Sequence, residues 1–421
     1  MMILFDLLYF FIIIFTLPFW AKYLFKKEYR TNLKHRLSPG ITSSDKKRLW
    51  IHAVSVGEVR SLKNLIKKLN EKYKDKEIVL SVTTPTGYEF AQQQYKNIKI
   101  INAPIDFSFT IKKFIKKINP ELLILNELEI WPNWISITSK RKIPILLING
   151  RISNAAFKRY KRCRFLLKVF FNKIDRFLVQ AELYKERFRH LNIPGEKIAV
   201  CGNIKADEAF NALEHLPPDR DILNFLKTGE NAHKEKKIVT IASSHLKDEK
   251  MVIPVINQLC RDFLFIIVPR HLTRVEEIEK LLKTHQVTFS TWSKIPGTPT
   301  REHVLIFDRM GYLFNILKIT NIVFMGGTLD PKVGGHNLYE PAVMGKLIVG
   351  GPCYNNFPAI GAELVERGVY HIVNNSEELS NFLLHINTIN IKDVERNALY
   401  SVTRRKGSIQ CILKEIQQFI N

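Results

Sequence analysis

Acidic residues are scarce in this chain beside basic ones. Its 421 residues hold 40 Asp and Glu against 64 Lys and Arg, a formal net charge of +24. Such an excess points to an anionic partner: nucleic acid, an anionic membrane face or a phosphorylated substrate. Cysteine is scarcer still. The five cysteines (Cys163, Cys201, Cys260, Cys353 and Cys411) are scattered, odd in number and never spaced Cys-x-x-Cys. That argues against a disulfide framework and a zinc site, and fits a reducing compartment. No low-complexity tract or short internal repeat interrupts the chain. The long hydrophobic run lies at the N-terminus, where Met2–Trp20 is almost wholly apolar apart from Asp6, Thr16 and Pro18. It lacks the basic leader and small-residue cleavage site of a signal peptide. Roughly twenty helical residues at about 1.5 Å each cover about one bilayer core. The basic residues follow the run: Lys22, Lys26, Lys27, Arg30, Lys34 and Arg36. By the positive-inside rule, residues 1–22 read as a single N-terminal anchor in the cytoplasmic (inner) membrane, spanning it or lying as a shallow monotopic helix, with the body of the protein facing the cytoplasm.

What is present is a repeating alternation. A length of 421 residues with 46% hydrophobic content favours two domains with real cores. Short apolar runs predict strands at Leu49–Ala53, Ile78–Val82, Ile98–Asn102, Leu122–Leu125, Ile145–Ile148, Phe177–Val179 and Ile198–Val200. Helical spacing lies between them, as in Val59, Leu62, Leu65, Ile66 and Leu69. Asn203–Glu230, with Pro217-Pro218, reads as a joint. The pattern restarts at Ile238–Ile241, Phe263–Val268, Val304–Phe307, Ile322–Met325, Leu347–Val349 and Tyr370–Val373. Ile409–Ile420 closes the chain as an amphipathic helix. Strands alternating with helices predict an α/β chain of GT-B architecture: two doubly wound, parallel-sheet (Rossmann-like) domains with a cleft between them. The expected domains are 23–206 and 207–421, with the last helix packing back on the first. Phosphorylase-like and epimerase-like proteins share this plan.

The chain is organised around Asn321–Pro352. A buried strand opens at Gly326-Gly327, Gly334-Gly335 precedes a helix expected to start near Asn337, and a second strand ends at Gly350-Gly351-Pro352. Glycines let the backbone approach an anion, and the first N–H groups of a helix point at it. Glu340, about one turn into that helix, is placed to accept from a ribose diol. Taken singly, paired glycines usually make turns and an early helical Glu usually complements the dipole. In the first half, His52-Ala-Val-Ser-Val-Gly-Glu58 ends a strand. Ser55 and Glu58 fit a capping box, while the same strand-to-helix turn would present Glu58 as a general base. Thr83-Thr84-Pro85-Thr86-Gly87 reads as a cap or an anion site. Glu127-Leu128-Glu129-Ile130-Trp131-Pro132-Asn133 sets two carboxylates at a strand end, suited to a metal site, an acid/base pair or an exposed loop. In the second half, Ser243-Ser244-His245 opens a helix carrying Asp248 and Glu249. His245 and Glu249, four residues apart, suit either a metal or a capped helix start. Pro269-Arg270-His271 suits a phosphate or carboxylate, and Arg151 in the first half suits either such a ligand or a structural ion pair.

Together these motifs resemble, in order, those of the 3-deoxy-D-manno-octulosonic acid (Kdo) transferases, the lipid A glycosyltransferases that use CMP-Kdo. The resemblance runs from the N-terminal anchor to Asn356-Phe357. It departs at Leu128, where the family has Thr; at Gly150, where it has Ala; at the spacer Leu246-Lys247; and at Arg309 and Tyr312, beside Met310-Gly311. It implies CMP-Kdo as donor, lipid IVA as acceptor, and inversion at the anomeric carbon without a metal or other cofactor. It further implies Glu58 as the base, with Glu127, Glu129 and Arg151 on the acceptor side. The donor would be gripped by Ser243, His245, Pro269, Arg270, His271, Met310, Gly311, Gly326, Gly327, Gly334, Gly335, Asn337 and Glu340. The phosphorylated acceptor and the anionic cytoplasmic leaflet would match the basic charge. Two other readings remain at this point. One is a GT-B enzyme using a different nucleotide sugar and lipid. The other is a membrane-tethered nucleic-acid-binding protein, for which no binding motif or aromatic stacking platform is present.

Overall fold

The computed structural model describes residues 5–7, 9–11, 14–16, 33–216, 236–294 and 302–420. They divide into two compact units, Met1–Glu208 with Gly407–Asn421, and Ala209–Lys406. The joint expected at Asn203–Glu230 holds the helix Ile204–Glu214; residues 217–235, including Pro217-Pro218, lie outside the described residues.

The first unit is a parallel sheet of β1 (Arg48–Ala53), β2 (Glu77–Val82), β3 (Lys99–Asn102), β4 (Pro120–Asn126), β5 (Ile145–Gly150), β6 (Arg176–Val179) and β7 (Ile198–Val200). Their order is β3-β2-β1-β4-β5-β6-β7. Strand alternation sends β1 side chains to two cores. Trp50 joins Leu123, Leu125, Trp134 and Phe177 on one face. Leu49 and Ile51 join Ile124, Leu65 and Leu69 on the other. That second core also receives Ile409, Ile412 and Ile416 from the C-terminal helix Ser408–Gln417. Because both faces are covered, the strands are continuous apolar runs, which made them readable in the sequence.

One expectation fails here. Cys201 and Cys411, 210 residues apart, form a disulfide with Cα atoms 5.4 Å apart. Their spacing in sequence says nothing of this, because the return of the last helix to the first unit brings them together.

The second unit repeats the plan with β8 (Lys237–Ser244), β9 (Phe263–Pro269), β10 (Phe289–Thr291), β11 (Val304–Ile306), β12 (Ile322–Met325), β13 (Leu347–Gly350) and β14 (Tyr370–Ile372). The order is β10-β11-β9-β8-β12-β13-β14, again parallel. β10 was not expected: it is a three-residue strand at the sheet edge, too short and too polar for periodicity to reveal.

Part of the predicted anchor is described. Residues 5–7, 9–11 and 14–16 are helical, and Phe10, Phe11 and Phe15 are exposed. Phe5 packs edge-on against Phe170, with ring centroids 5.3 Å apart. Among the described residues no helix is long and apolar enough to cross a membrane. Residues 17–32, with most of the basic flank, lie outside the described residues.

One very tight backbone approach in the second unit is at Gly326, after β12. A Cβ there would lie 2.3 Å from the Ser243 carbonyl oxygen. Gly326→Ala should therefore push β8 and β12 apart at their carboxyl ends and lower stability by about 1–3 kcal/mol or more. A urea or thermal melt of the full chain checks this; a wild-type melting temperature would show that the contact relaxes freely.

Candidate functional site

The strand order reverses between β1 and β4 in the first unit and between β8 and β12 in the second. In doubly wound sheets the crevice at such a reversal, outside the carboxyl ends of the strands, receives ligands. Glu58, Glu127, His245 and the Gly326-Gly327 pair lie on the loops at these reversals, and Arg151 and Arg270 follow the neighbouring strands, whereas Met310 and Gly311 follow β11, two strands from β8.

In the first unit β1 runs into the helix Val56–Ser61, which carries Glu58. The capping-box geometry is not formed: the Ser55 side chain accepts no bond from the helix. Instead Ser55 Oγ donates to Glu58 Oε1 at 3.3 Å. Glu58 Oε2 accepts from the Val54 backbone N–H and from Asn126 Nδ2, each at 3.1 Å. Asn126 is the last residue of β4, so this bond joins the two strands at the reversal. No motif in the sequence marked Asn126; its signal was only a polar residue closing an apolar strand. Burial, then the negative charge of Glu127, pushes Glu58 up to about 7. Glu127 itself sits in the left-handed region, φ +60°, and accepts from Arg151 Nε at 3.0 Å. Burial also pushes Glu129 up to about 7. His52 is not part of this cluster: it is fully buried, bonded through Nδ1 to Ser81, and held far down, at about 3, by burial. Thr84 is a plain cap, accepting from the Gly87 N–H at 3.2 Å.

In the second unit Ser243, next to last in β8, sits at φ +57°, and the chain continues through His245 into the helix Leu246–Leu259. Asp248, fully buried, accepts from the His245 N–H at 2.9 Å and the Gly327 N–H at 2.8 Å through one oxygen. It thereby ties the β8 loop to the β12 loop. Burial raises it to about 6. His245 Nε2 and His336 Nε2 lie 2.8 Å apart with the rings stacked, and the His271 ring centroid is 6.0 Å from that of His245. Burial and the positive charge of His271, Arg270 and Arg274 lower the His245 pKa. His336, in the second glycine pair's motif, was not singled out from sequence. Glu249 does not face His245 as a metal partner would. It accepts from Ser244 Oγ at 2.9 Å and pairs with Arg274.

Gly334 and Gly335 both adopt positive φ, and the Gly335 N–H donates to the Gly327 carbonyl at 3.0 Å, closing the glycine loop. Asn356 Nδ2 donates to the carbonyls of Val333 and Gly335. The helix expected near Asn337 starts at Tyr339 and ends at Val343. Five residues align few peptide dipoles, so an anion cradle at its end is not supported; Asn337 Nδ2 instead donates to Glu340 Oε1 at 3.1 Å. Pro269 ends β9, and the Arg270 N–H donates to the Ser244 carbonyl at 3.1 Å, which brings Pro269-Arg270-His271 beside the β8 loop. Met310 is exposed and Gly311 has positive φ, after β11.

Two Rossmann-like units, each with a polar cluster at its strand reversal, define a protein of the GT-B class. Residues 30–208 match the family model for 3-deoxy-D-manno-octulosonic-acid transferase (kdotransferase). A 3-deoxy-D-manno-octulosonic acid transferase of Chlamydophila psittaci is 30% identical over 322 residues, covering 76% of this chain and 72% of that protein. The chain belongs to the Kdo transferase family, whose members are glycosyltransferases. A bifunctional glycosyltransferase/methyltransferase of Fusobacterium nucleatum is 33% identical over 385 residues; the match covers 90% of this chain but only 59% of that longer protein. The crystal structure of a glycosyltransferase from Rickettsia africae has the same fold, with TM-score 0.61 and 16% identity, over 89% of this chain and 99% of that one.

The raised pKa of Glu58 has a consequence for stability. Ionisation is harder in the folded state than in the unfolded chain, where the value is 4.5. The contribution of Glu58 is thus most favourable below 4.5 and is lost as pH rises through about 7. Glu58→Gln removes that loss. Urea unfolding at pH 5 and pH 8 should show the variant gaining on wild type at the higher pH, by on the order of 1–3 kcal/mol. An equal difference at both pH values would contradict the shift.

Proposed function

We propose that this chain transfers Kdo from CMP-Kdo to lipid IVA in lipopolysaccharide biosynthesis, with inversion and without a metal. The observation that carries the reading is Glu58, a carboxylate raised to about 7 and held by Asn126 and Val54 at the first unit's strand reversal. A base is most effective when its pKa lies near the working pH. In this mechanism the acceptor hydroxyl oxygen attacks the anomeric carbon of the donor. The bond from that carbon to the phosphate oxygen breaks, CMP leaves with the electron pair, and the hydroxyl proton passes to Glu58. Glu127 and Glu129 raise the basicity of Glu58, and Arg151 offsets part of their charge. The second unit is proposed to hold CMP-Kdo, with the Gly326-Gly327 and Gly334-Gly335 backbone near the phosphate. His245, Arg270 and His271 supply positive charge there, Ser243, Pro269, Met310 and Gly311 supply backbone contacts, and Asn337 with Glu340 lies at the ribose.

We place the protein at the cytoplasmic face of the inner membrane. Support comes from one region of the first unit. The helix Arg164–Phe171 exposes Phe165 and Leu166 and buries Phe170 against Phe5. Phe109 is likewise exposed and stacks on Phe107, which Tyr9 also contacts. Exposed Arg159, Lys161, Arg162 and Lys168 flank these apolar side chains. Apolar side chains within a basic rim suit an anionic leaflet, where each cation near the surface contributes about 1 kcal/mol. Phe165→Ser with Leu166→Ser should reduce co-sedimentation with phosphatidylglycerol-containing vesicles several-fold; unchanged sedimentation would remove this face from the membrane contact.

Glu58→Gln tests the chemistry. The amide oxygen can still accept from Val54 and Asn126, and its NH2 can donate to Ser55 Oγ, but the group is not basic. Turnover of lipid IVA should fall about 10²–10⁴-fold, while calorimetric CMP affinity stays at the wild-type value. A variant that retains most of its turnover would move the base elsewhere, with Glu127 and Glu129 the next carboxylates to test.

A further inference from the structure

The apolar N-terminal segment contains a carboxylate, Asp6, and a phenol, Tyr9, and both are bound into the first unit. Asp6 Oδ1 accepts from the Ser108 N–H and from Asn133 Nδ2, each at 2.9 Å. Ser108 opens the helix Ser108–Ile118, so Asp6 satisfies one of the N–H groups that a helix start leaves without a partner. Tyr9 donates its hydroxyl to Asp106 Oδ2 at 3.1 Å. Asp106 is buried and accepts from two further backbone donors, the Asn133 N–H at 3.0 Å and the Trp134 N–H at 2.7 Å. Those are the first two N–H groups of the helix Pro132–Lys140, whose opening proline has none. Asn133 Nδ2 also donates to the Asp106 carbonyl at 2.6 Å.

The helix start held in this way is the downstream end of the loop that carries Glu127 and Glu129. Upstream, the loop is fixed at Asn126, which bonds Glu58. Between these points Glu127 occupies the left-handed region, a conformation that surrounding structure must hold in place. Leu128, Ile130, Trp131 and Phe5 pack against the same apolar core. A segment serving only as an anchor gains nothing from a carboxylate, which costs about 2.5–3.5 kcal/mol at the centre of a bilayer. Asp106 is buried at this junction, and burial raises its pKa despite its donors.

We propose that Asp6 and Tyr9 are positioning residues for the acceptor-side carboxylates: through Asn133 and Asp106 the N-terminal helix holds the loop from Glu127 to Trp131 in register with Glu58. The proposal rests on the reading of that face as the acceptor side, and makes the N-terminal segment part of the site as well as a tether.

The test uses the full chain with Tyr9→Phe, which removes one hydroxyl, and with Asp6→Ala and Asp6→Asn. Hydrogen exchange followed by mass spectrometry reads the junction without any need for activity. Amides of 127–134 should exchange faster in Tyr9→Phe and Asp6→Ala, with the second unit unchanged. With detergent-dispersed lipid IVA, where tethering is irrelevant, KM for the acceptor should rise about tenfold in both, the scale of a misplaced binding group. KM for CMP-Kdo and sedimentation with vesicles should stay at wild-type values. Asp6→Asn, which keeps the accepting oxygen, should restore the acceptor KM. Unchanged exchange in Tyr9→Phe and Asp6→Ala would overturn the proposal, as would faster exchange with wild-type acceptor kinetics, or a defect seen only on vesicles. A wild-type enzyme inactive on lipid IVA would instead count against the acceptor assignment, and the exchange result would still decide whether the junction is held from the N-terminal helix.

Discussion

Where β1 and β4 run side by side, the chain leaving β1 turns to one face of the sheet and the chain leaving β4 turns to the other. Val59 and Leu62 pack with Ile51 and Ile124, whereas Trp134 and Ile135 pack with Trp50 and Leu125. The loops part at that point. Side-chain bonds bridge the reversal in each unit. In the first, Asn126 at the end of β4 donates to Glu58 beyond β1. In the second, Asp248 beyond β8 accepts from the N–H of Gly327 beyond β12. These bonds tie the loops that carry Glu58 and His245 to the neighbouring strand or loop across each reversal.

The bridges carry an energetic cost. Glu58 and Asp248 are carboxylates withdrawn from water, and burial raises both above their ordinary values. Each receives two or more hydrogen-bond donors, which limits the penalty without cancelling it. A fold selected for stability alone would place apolar residues there. Retaining poised carboxylates at both reversals fits a protein that needs a proton acceptor near neutral pH in one unit and a rigid loop pair for an anionic ligand in the other.

The sheets were legible in the sequence because buried parallel strands are apolar throughout, as in Leu122–Leu125 and Ile322–Met325. Phe289–Thr291 escaped because an edge strand of three residues has no period to detect. Motif order singled out Glu58, Glu127, His245 and the glycine pairs, which lie on loops at the strand ends, but spacing could not give their local geometry. The Ser55–Glu58 spacing suits a capping box, but the Val54 N–H and the Asn126 amide take the carboxylate instead, and Asn126 comes from a strand distant in sequence. The same limit applies to Asp6, which reads as a blemish in an apolar run. Only the approach of Ser108 and Asn133, more than a hundred residues away in sequence, reveals it as a hydrogen-bond acceptor. Contacts of this kind, including the Cys201–Cys411 pair, leave no trace in spacing.

The most direct test of the central claim is mass spectrometry of lipid IVA after incubation with the purified full-length protein and CMP-Kdo, with chelator present and UDP-sugars as the comparison donors. The account predicts a product heavier by at least one Kdo unit with CMP-Kdo alone, formed equally well in chelator. Unmodified lipid IVA with CMP-Kdo, or transfer from a UDP-sugar instead, would contradict it.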